Sequence, residues 1–263
     1  MLDVTILASG SAGNATLLRC GSTHVLIDAG LSARQLSLRL ESAGVETSAL
    51  DGIVLTHEHG DHTSALRVLA SRCDVPVFAN RMTAAALEAD GRCNIPRWQL
   101  FSNGATFAIG TLTFEPFQVP HDAADPVGFV IRNGDASFGV LTDLGYATAS
   151  VMDRLREVQV LLIETNYDDA LLQNDTKRPW SVKQRIQSRH GHLSNVAAAA
   201  IAGELSAGPL NRIVVGHLSR DCNTPELAIG CMRNHLNQRG RPEIEVHCAM
   251  QESISPTFGV GAR

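Results

Sequence analysis

The stretch Asp51-Gly-Ile-Val-Leu-Thr-His57-Glu-His59-Gly-Asp61-His62 restricts the fold of this chain more than any other: an apolar run passes straight into four metal-capable side chains within six residues. Side chains of this kind meet at one point only when a rigid element delivers them, and the water-facing end of a buried strand is such a place. His57 and His59 are two positions apart, so on extended backbone both imidazoles point to the same side. Gly60 lets the chain turn and brings Asp61 and His62 to a neighbouring point rather than the same one. The spacing predicts two metal ions, each held by part of the motif. A packed or surface histidine accounts for one such residue, not for four ligands at this spacing behind a hydrophobic strand.

The pattern around the motif alternates between short apolar runs and helical spacing. Strands are expected at 4–8, 15–20 and 24–28, separated by Gly-rich turns as in an antiparallel meander. A helix over 32–43 follows, with Leu36, Leu40 and Ala43 on one side and Gly44 as its stop. Next come a strand at 52–56, a helix at 63–71, a strand at 75–79 and a helix at 82–89. The middle returns to strands at 99–101, 106–109, 112–119, 128–132 and 136–141. The end alternates again: helix near 150–156, strand 160–164, helices within 181–188 and 195–205, strand 212–215, helix near 225–236 and a final strand at 243–247. Two blocks, each opening with strands and continuing with helices, predict two sheets packed face to face with helices outside. No internal repeat, low-complexity tract or long linker interrupts them, so one α/β domain over 1–263 is expected.

Composition excludes several function classes. With 263 residues, 44% hydrophobic and 19% charged, the chain can bury a sizeable core and is not a disordered segment. Its 22 Lys+Arg against 27 Asp+Glu leave a net charge of −5, which argues against polyanion binding by bulk charge. The N-terminus has no basic n-region, and no apolar run approaches the roughly 20 residues needed to span a bilayer. The run 196–202 holds five alanines and reads as a helix with a small-residue face. Cys20, Cys73, Cys93, Cys222, Cys231 and Cys248 are scattered without a C-x-x-C, as expected of free thiols in a reducing cytoplasm.

His57-x-His59-x-Asp61-His62 resembles the signature of the metallo-β-lactamase superfamily, whose αββα sandwich matches the layering expected above. The rest of that family's motif order is met by Leu26-Ile-Asp28, Val119-Pro-His121, Val140-Leu-Thr-Asp143 and Val214-Val-Gly-His217. The resemblance implies two divalent ions, Zn²⁺ or Mn²⁺: one on His57, His59 and His121, the second on Asp61, His62 and His217, with Asp143 between them. It implies that Asp61 also orients an attacking hydroxide. Asp28 reads as a residue that fixes the metal-binding loop by hydrogen bonds, or as a strand-end aspartate capping a turn.

The superfamily hosts many reactions, and local motifs narrow them. Leu162-Ile-Glu164-Thr-Asn-Tyr-Asp168 and Gly191-His192-Leu-Ser194-Asn195 resemble the strand-end glutamate and histidine motif of the ribonuclease Z-like phosphodiesterases. The resemblance implies His192 as general acid and Glu164 as its orienter, the alternative being a helix-capping segment beside a buried glutamate. The loop 8–14, the Gly191–Asn195 motif and His217-Leu-Ser-Arg-Asp-Cys-Asn223 are together similar to the YycJ/WalJ branch, which implies a DNA exonuclease working 5′ to 3′. Ala8 and Ala12 stand where branch members often carry Gly and Ser, and no β-CASP insertion is present. Ser9, Ser11 and Asn14, with Ser194 and Asn195, are candidates to meet a phosphate. No acid occurs over 176–203, where Lys177, Arg178, Lys183, Arg185 and Arg189 surround Trp180. Lys183, Arg185 and Arg189 are therefore candidate backbone contacts, with Trp180 stacking on a strand end; a solvated helix face beside a core tryptophan is the alternative. Other readings are a hydrolase for a small ester, cyclic phosphodiester or lactone, and a metal-binding scaffold without catalysis. His24, His235 and His247 lie outside every motif and read as structural or surface residues; His190 stands open.

Overall fold

The computed structural model of the chain describes residues 1–91 and 95–261, so Cys93 lies outside the described residues. The first sheet opens with antiparallel β1 (Leu2–Ala8), β2 (Ala15–Cys20) and β3 (Thr23–Ile27). It continues with parallel β4 (Gly52–Val54), β5 (Val77–Asn80) and β6 (Trp98–Phe101). Helices α1 (Ala33–Ser42), α2 (Gly60–Thr63), α3 (Leu66–Arg72) and α4 (Arg81–Ala89) make the crossovers that parallel strands require. The second sheet repeats the plan. β7 (Phe107–Ile109), β8 (Leu112–Gln118), β9 (Val127–Asn133) and β10 (Ala136–Leu141) run antiparallel. β11 (Val160–Glu164), β12 (Arg212–Gly216) and β13 (Glu245–Cys248) follow in parallel. Between them lie α5 (Ala149–Leu155), α6 (Asp169–Asn174), α7 (Trp180–Ile186), α8 (Asn195–Leu205) and α9 (Pro225–Gln238). The chain ends by returning to the first sheet, where β14 (Phe258–Val260) pairs antiparallel with β1. Among the described residues each sheet has seven strands.

Burial follows the period of two along the strands. Val160 and Leu162 of β11 face the layer between the sheets, while Leu161 and Ile163 face the helices. The inter-sheet layer is built on Phe114, Phe129 and Phe138 with Leu2, Val4 and Ile6. Leu36 and Leu40 of α1 and Leu66 of α3 cover the first sheet, and Ala198 and Ala202 of α8 with Met232 and Leu236 of α9 cover the second. The expected α/β, αββα sandwich is the observed architecture. Among the described residues, no helix is long and apolar enough to cross a membrane.

Several elements differ from expectation. The helix expected over 63–71 is split into α2 and α3, because Asp61 and His62 already lie within the first short turn. The short α6 was absent from the pattern; Asp168 nucleates it by accepting from the Ala170 and Leu171 amides, both at 3.0 Å. Thr47–Ala49 forms a 3₁₀ turn. β13 is not the last strand, since β14 follows, and its three residues are too few to show a period.

One close approach fixes the metal-binding loop. Gly30 donates to the Asn14 carbonyl at 2.9 Å, and a Cβ at Gly30 would stand 1.6 Å from the Asp61 carbonyl oxygen. Gly30→Ala must therefore push the loops apart. It is expected to cost about 1–3 kcal/mol in urea unfolding and to weaken divalent-ion binding; unchanged values of both would show that the loops yield freely.

Candidate metal centre

The site forms where strands of both sheets end at one edge. Three non-glycine residues among those described have left-handed backbone: Asp28 (φ 59°) just after β3, Asp143 (φ 55°) shortly after β10, and His217 (φ 54°) just after β12. This conformation is costly and persists where the surroundings over-determine it. Here it turns each side chain off the line of its strand. His57 and His59 follow β4, and His121 follows β8.

Ligand atoms of His57, His59 and His121 all lie within 4.8 Å of one another, as do those of Asp61, His62 and His217. Asp143 joins His57 and His62 in a further group of the same span, so it stands between the two sets. His57 Nε2 and His121 Nε2 are buried without a hydrogen-bond partner, and Asp143 Oδ2 lies 3.1 Å from His62 Nε2. Buried polar atoms left this way cost free energy unless something absent from the polypeptide completes them. His121 Nδ1 donates to the Gly191 carbonyl at 3.0 Å, which leaves a lone pair on the orphaned Nε2 of the neutral ring. Nitrogen and carboxylate donors in these groupings fit divalent cations.

A layer of hydrogen bonds holds the ligands. Asp28 Oδ2 accepts from His62 Nδ1 at 2.7 Å, and Asp28 Oδ1 accepts from the Thr56 amide at 2.9 Å. Asn14 accepts from Gly10 N at 2.9 Å and presents its Nδ2 3.1 Å from His62 Nε2. Glu164 lies within the second sheet, wholly buried. Its Oε1 accepts from His192 Nδ1 at 2.5 Å and from His217 Nδ1 at 3.1 Å. Its Oε2 accepts from the Leu144 and Leu193 amides at 3.1 and 3.2 Å.

Charge states follow from these neighbours. Burial, with the adjacent His62, holds His57 well below the usual imidazole range, and burial lowers His121 too. Burial also opposes charge on His62 and His217, but nearby carboxylates, Asp143 foremost, outweigh it. They hold His62 well above the usual range and push His217 up to about 10. The Glu164 carboxylate likewise overcomes burial and raises His192. Asp61, Asp143 and Glu164 are driven low against the penalty of burial by the histidines they contact.

The cleft over the ligands measures about 260 Å³ and brings Ser11, Arg185, His190 and His192 to its walls. Other expected substrate contacts are spent inside the fold. Ser9 is buried and its Oγ accepts from the His217 amide at 2.8 Å. Asn14 braces the metal-binding loop as described. Ser194 caps α8 through the Ala197 amide at 3.2 Å, and Asn195 is locked in a buried reciprocal pair with Asn223 at 3.0 and 2.8 Å. Lys183 is buried too, its Nζ donating to the Gln173 carbonyl at 2.8 Å, so it does not reach the cleft.

The acid-free stretch over 176–203 is less basic in space than in sequence. Lys177 pairs with Asp221 at 2.6 Å, Arg178 with Asp175 at 2.7 Å, and Arg185 with Asp122 at 2.7 Å. Arg189 lies over the Tyr146 ring, 4.4 Å from its centroid. Trp180 is 63% exposed rather than a core residue. Asn223, which the sequence placed at the end of a motif without a role, supports the site through Asn195 and the Thr165 carbonyl, which it meets at 2.7 Å.

The raised imidazoles set the pH behaviour of the ion-free protein. His217 moves from 6.5 to about 10, so its protonated form contributes stability that is fully present below pH 6.5 and lost as pH rises through about 10. A cation needs the neutral ring and competes with that proton. The ion-free protein should therefore melt higher near about pH 6 than near about pH 9, and its affinity for a divalent ion should rise across that interval. Melting curves and calorimetric titrations check this; a flat ion-free profile excludes a charged His217.

The "Beta-lactamase superfamily domain" family model matches residues 23–217. Exodeoxyribonuclease YycJ of Bacillus anthracis is 35% identical over 242 residues, which cover 91% of this chain and 90% of that protein. Exodeoxyribonuclease WalJ of Streptococcus pneumoniae is 35% identical over 237 residues, 89% of this chain and 88% of its own length. Among solved structures, the metallo-β-lactamase fold protein YhfI of Bacillus subtilis superposes with a TM-score of 0.71 at 18% identity, covering 97% of this chain and 100% of that one. Zinc-bound PqqB of Methylobacterium extorquens gives 0.73 at 17% identity, covering 97% and 99%. At these identities the two structures speak for the fold. This chain belongs to the beta-lactamase superfamily and has the metallo-β-lactamase fold.

Proposed function

We propose that the chain is a metal-dependent nuclease that removes nucleotides from a DNA end, in the 5′ to 3′ direction, as a single cytoplasmic domain. The observation that carries this is the Glu164–His192 pair, 2.5 Å apart, set beside two groups of clustered ligand atoms. The exodeoxyribonuclease relatives support DNA as the substrate.

His57, His59 and His121 would hold one Zn²⁺ or Mn²⁺, and Asp61, His62 and His217 the second, with Asp143 between them. When bound, such ions neutralise phosphodiester oxygens and make water acidic enough to attack near neutral pH. The chain's own residues do the rest. Asp61, with 24% of its side chain exposed, faces the cleft and orients the attacking water. Glu164 fixes the His192 ring through Nδ1 and favours its protonated form, so the ring can give a proton to the leaving oxygen. Asp28 keeps the His62 ring in register through Nδ1. Ser11 and Arg185 remain as contacts for the DNA backbone at the cleft walls, and Arg189 at the nearby surface.

Incubation of ion-loaded protein with 5′-labelled duplex DNA, a cyclic dinucleotide and a thioester tests this. Nucleotide release from DNA is expected, abolished in His59→Ala and lowered about 10²–10⁴-fold in His192→Ala. Turnover of the small substrates alone would sink the DNA assignment, and two bound ions without any hydrolysis would favour a scaffold. Salt titrations of DNA binding provide a separate check on the surface. Arg185→Ala should reduce the salt slope by about 1, while Lys183→Ala leaves it unchanged because that ammonium is bound inside the fold.

A further inference from the structure

The wall of the cleft that carries Ser11 opens into a second recess of about 400 Å³, within the roughly 300–1,000 Å³ usual for small-ligand sites. The chemistry above does not use it. Ser11 lines both spaces, and Leu218, which lines the recess, directly follows the metal-centre residue His217. The recess thus adjoins the cleft across Ser11.

Its polar side chains are largely committed to the fold. Gln251 Oε1 accepts from the Ala12 amide at 2.9 Å, and its Nε2 donates to the Gly13 carbonyl at 3.0 Å. Both atoms of the Asn223 amide are taken as well, by Thr165, Asn195 and Thr224. Arg220 and Glu252 face each other at 3.4 Å, both well exposed. What remains for a ligand beside that exposed pair is mainly apolar surface, led by Met250, which is 42% exposed, with the half-buried Leu218.

We propose that this recess seats the nucleobase of the nucleotide that keeps the scissile phosphate, holding it by its faces rather than reading its edges; the inference rests on the nuclease reading above. Asp61 Oδ2 lies 3.4 Å from His217 Nε2, whereas Glu164, which carries His192, lies 3.1 Å from His217 Nδ1. The proton donor and Asp61 therefore flank His217 from its two nitrogens. The leaving oxygen takes its proton from His192, so its nucleoside departs on that side. The loop that carries Ser11 packs on the Asp61 side, where the Asn14 amide donates to the Asp61 carbonyl at 2.8 Å, so the nucleotide retaining the phosphate is placed there, past Ser11 and toward Leu218 and Met250. A flexible, polarizable thioether accepts purine and pyrimidine faces alike. Seating without edge recognition suits an enzyme that must step along any sequence.

DNA carrying one abasic tetrahydrofuran nucleotide tests the assignment, read as kcat/KM for release of the first nucleotide by the ion-loaded protein. An abasic unit at the nucleotide that keeps the first scissile phosphate should slow release about five- to tenfold, and one placed farther in should not. The four natural bases at the nucleotide that keeps the first scissile phosphate should react within about twofold of one another. Met250→Glu and Met250→Ser should each lower intact DNA to the abasic rate while bis(p-nitrophenyl) phosphate, which has no base to seat, is hydrolysed as by wild type. Equal rates for abasic and intact DNA in the wild type, or a full difference surviving in both variants, overturn the inference. Hydrolysis of the small diester with DNA left intact overturns the nuclease reading, and this inference with it.

Discussion

Glu164 is wholly buried, and its carboxylate is the point at which the second sheet is tied to the site. A buried carboxylate is tolerated only with its lone pairs met, and here four donors meet them. The Leu144 amide comes from the loop after β10, the Leu193 amide and His192 from the segment before α8, and His217 from the end of β12. Three connections that are far apart in sequence are thereby held around one side chain. Asp28 does the equivalent work for the first sheet, joining the end of β3 to Thr56 and His62. The two carboxylates bracket the ligand cluster from opposite sheets, and the left-handed turns at Asp28, Asp143 and His217 are the strain that this arrangement sustains.

This division of labour explains why polar residues near the cleft act mostly on the protein. Ser9, Asn14, Ser194 and Asn195 sit in Gly-, Ser- and Asn-rich segments of the kind that can cradle a phosphate. Each instead satisfies a backbone amide or a partner side chain that would be orphaned at a crowded strand end. Loops that approach as closely as Gly30 and Asp61 leave many such groups to pair, and short polar side chains are the economical way to pair them.

Charge shows the same effect. A run without acids over 176–203 looks like a basic track when read along the chain, yet Asp175 borders it and Asp122 and Asp221 come to it in space. The more exposed of these pairs, Lys177–Asp221 and Arg185–Asp122, are of the weak kind that can exchange partners with a phosphate, so the surface stays available to a nucleic-acid backbone without attracting it by bulk charge. The net charge of −5 and a polyanionic substrate are compatible on these terms.

How much was legible in advance depended on the range of the interaction. The H-x-H-x-D-H spacing is local, the apolar runs carry their own period, and strand-end motifs sit next to the strands that position them. The clustering of the candidate ligands, the Glu164–His192 pairing and the two-sheet architecture were therefore written in short segments. Elements too short to show a period, such as α6 and β14, were not. The amino-acid sequence by itself determined which residues can bind a cation and which layers the chain folds into. Only the tertiary structure decided that Asp28 locks His62, that Glu164 serves His217 as well as His192, and that Lys183 is buried. The physical reason is that a hydrogen bond or ion pair is chosen by distance in space, and these partners are brought together by packing rather than by proximity along the chain.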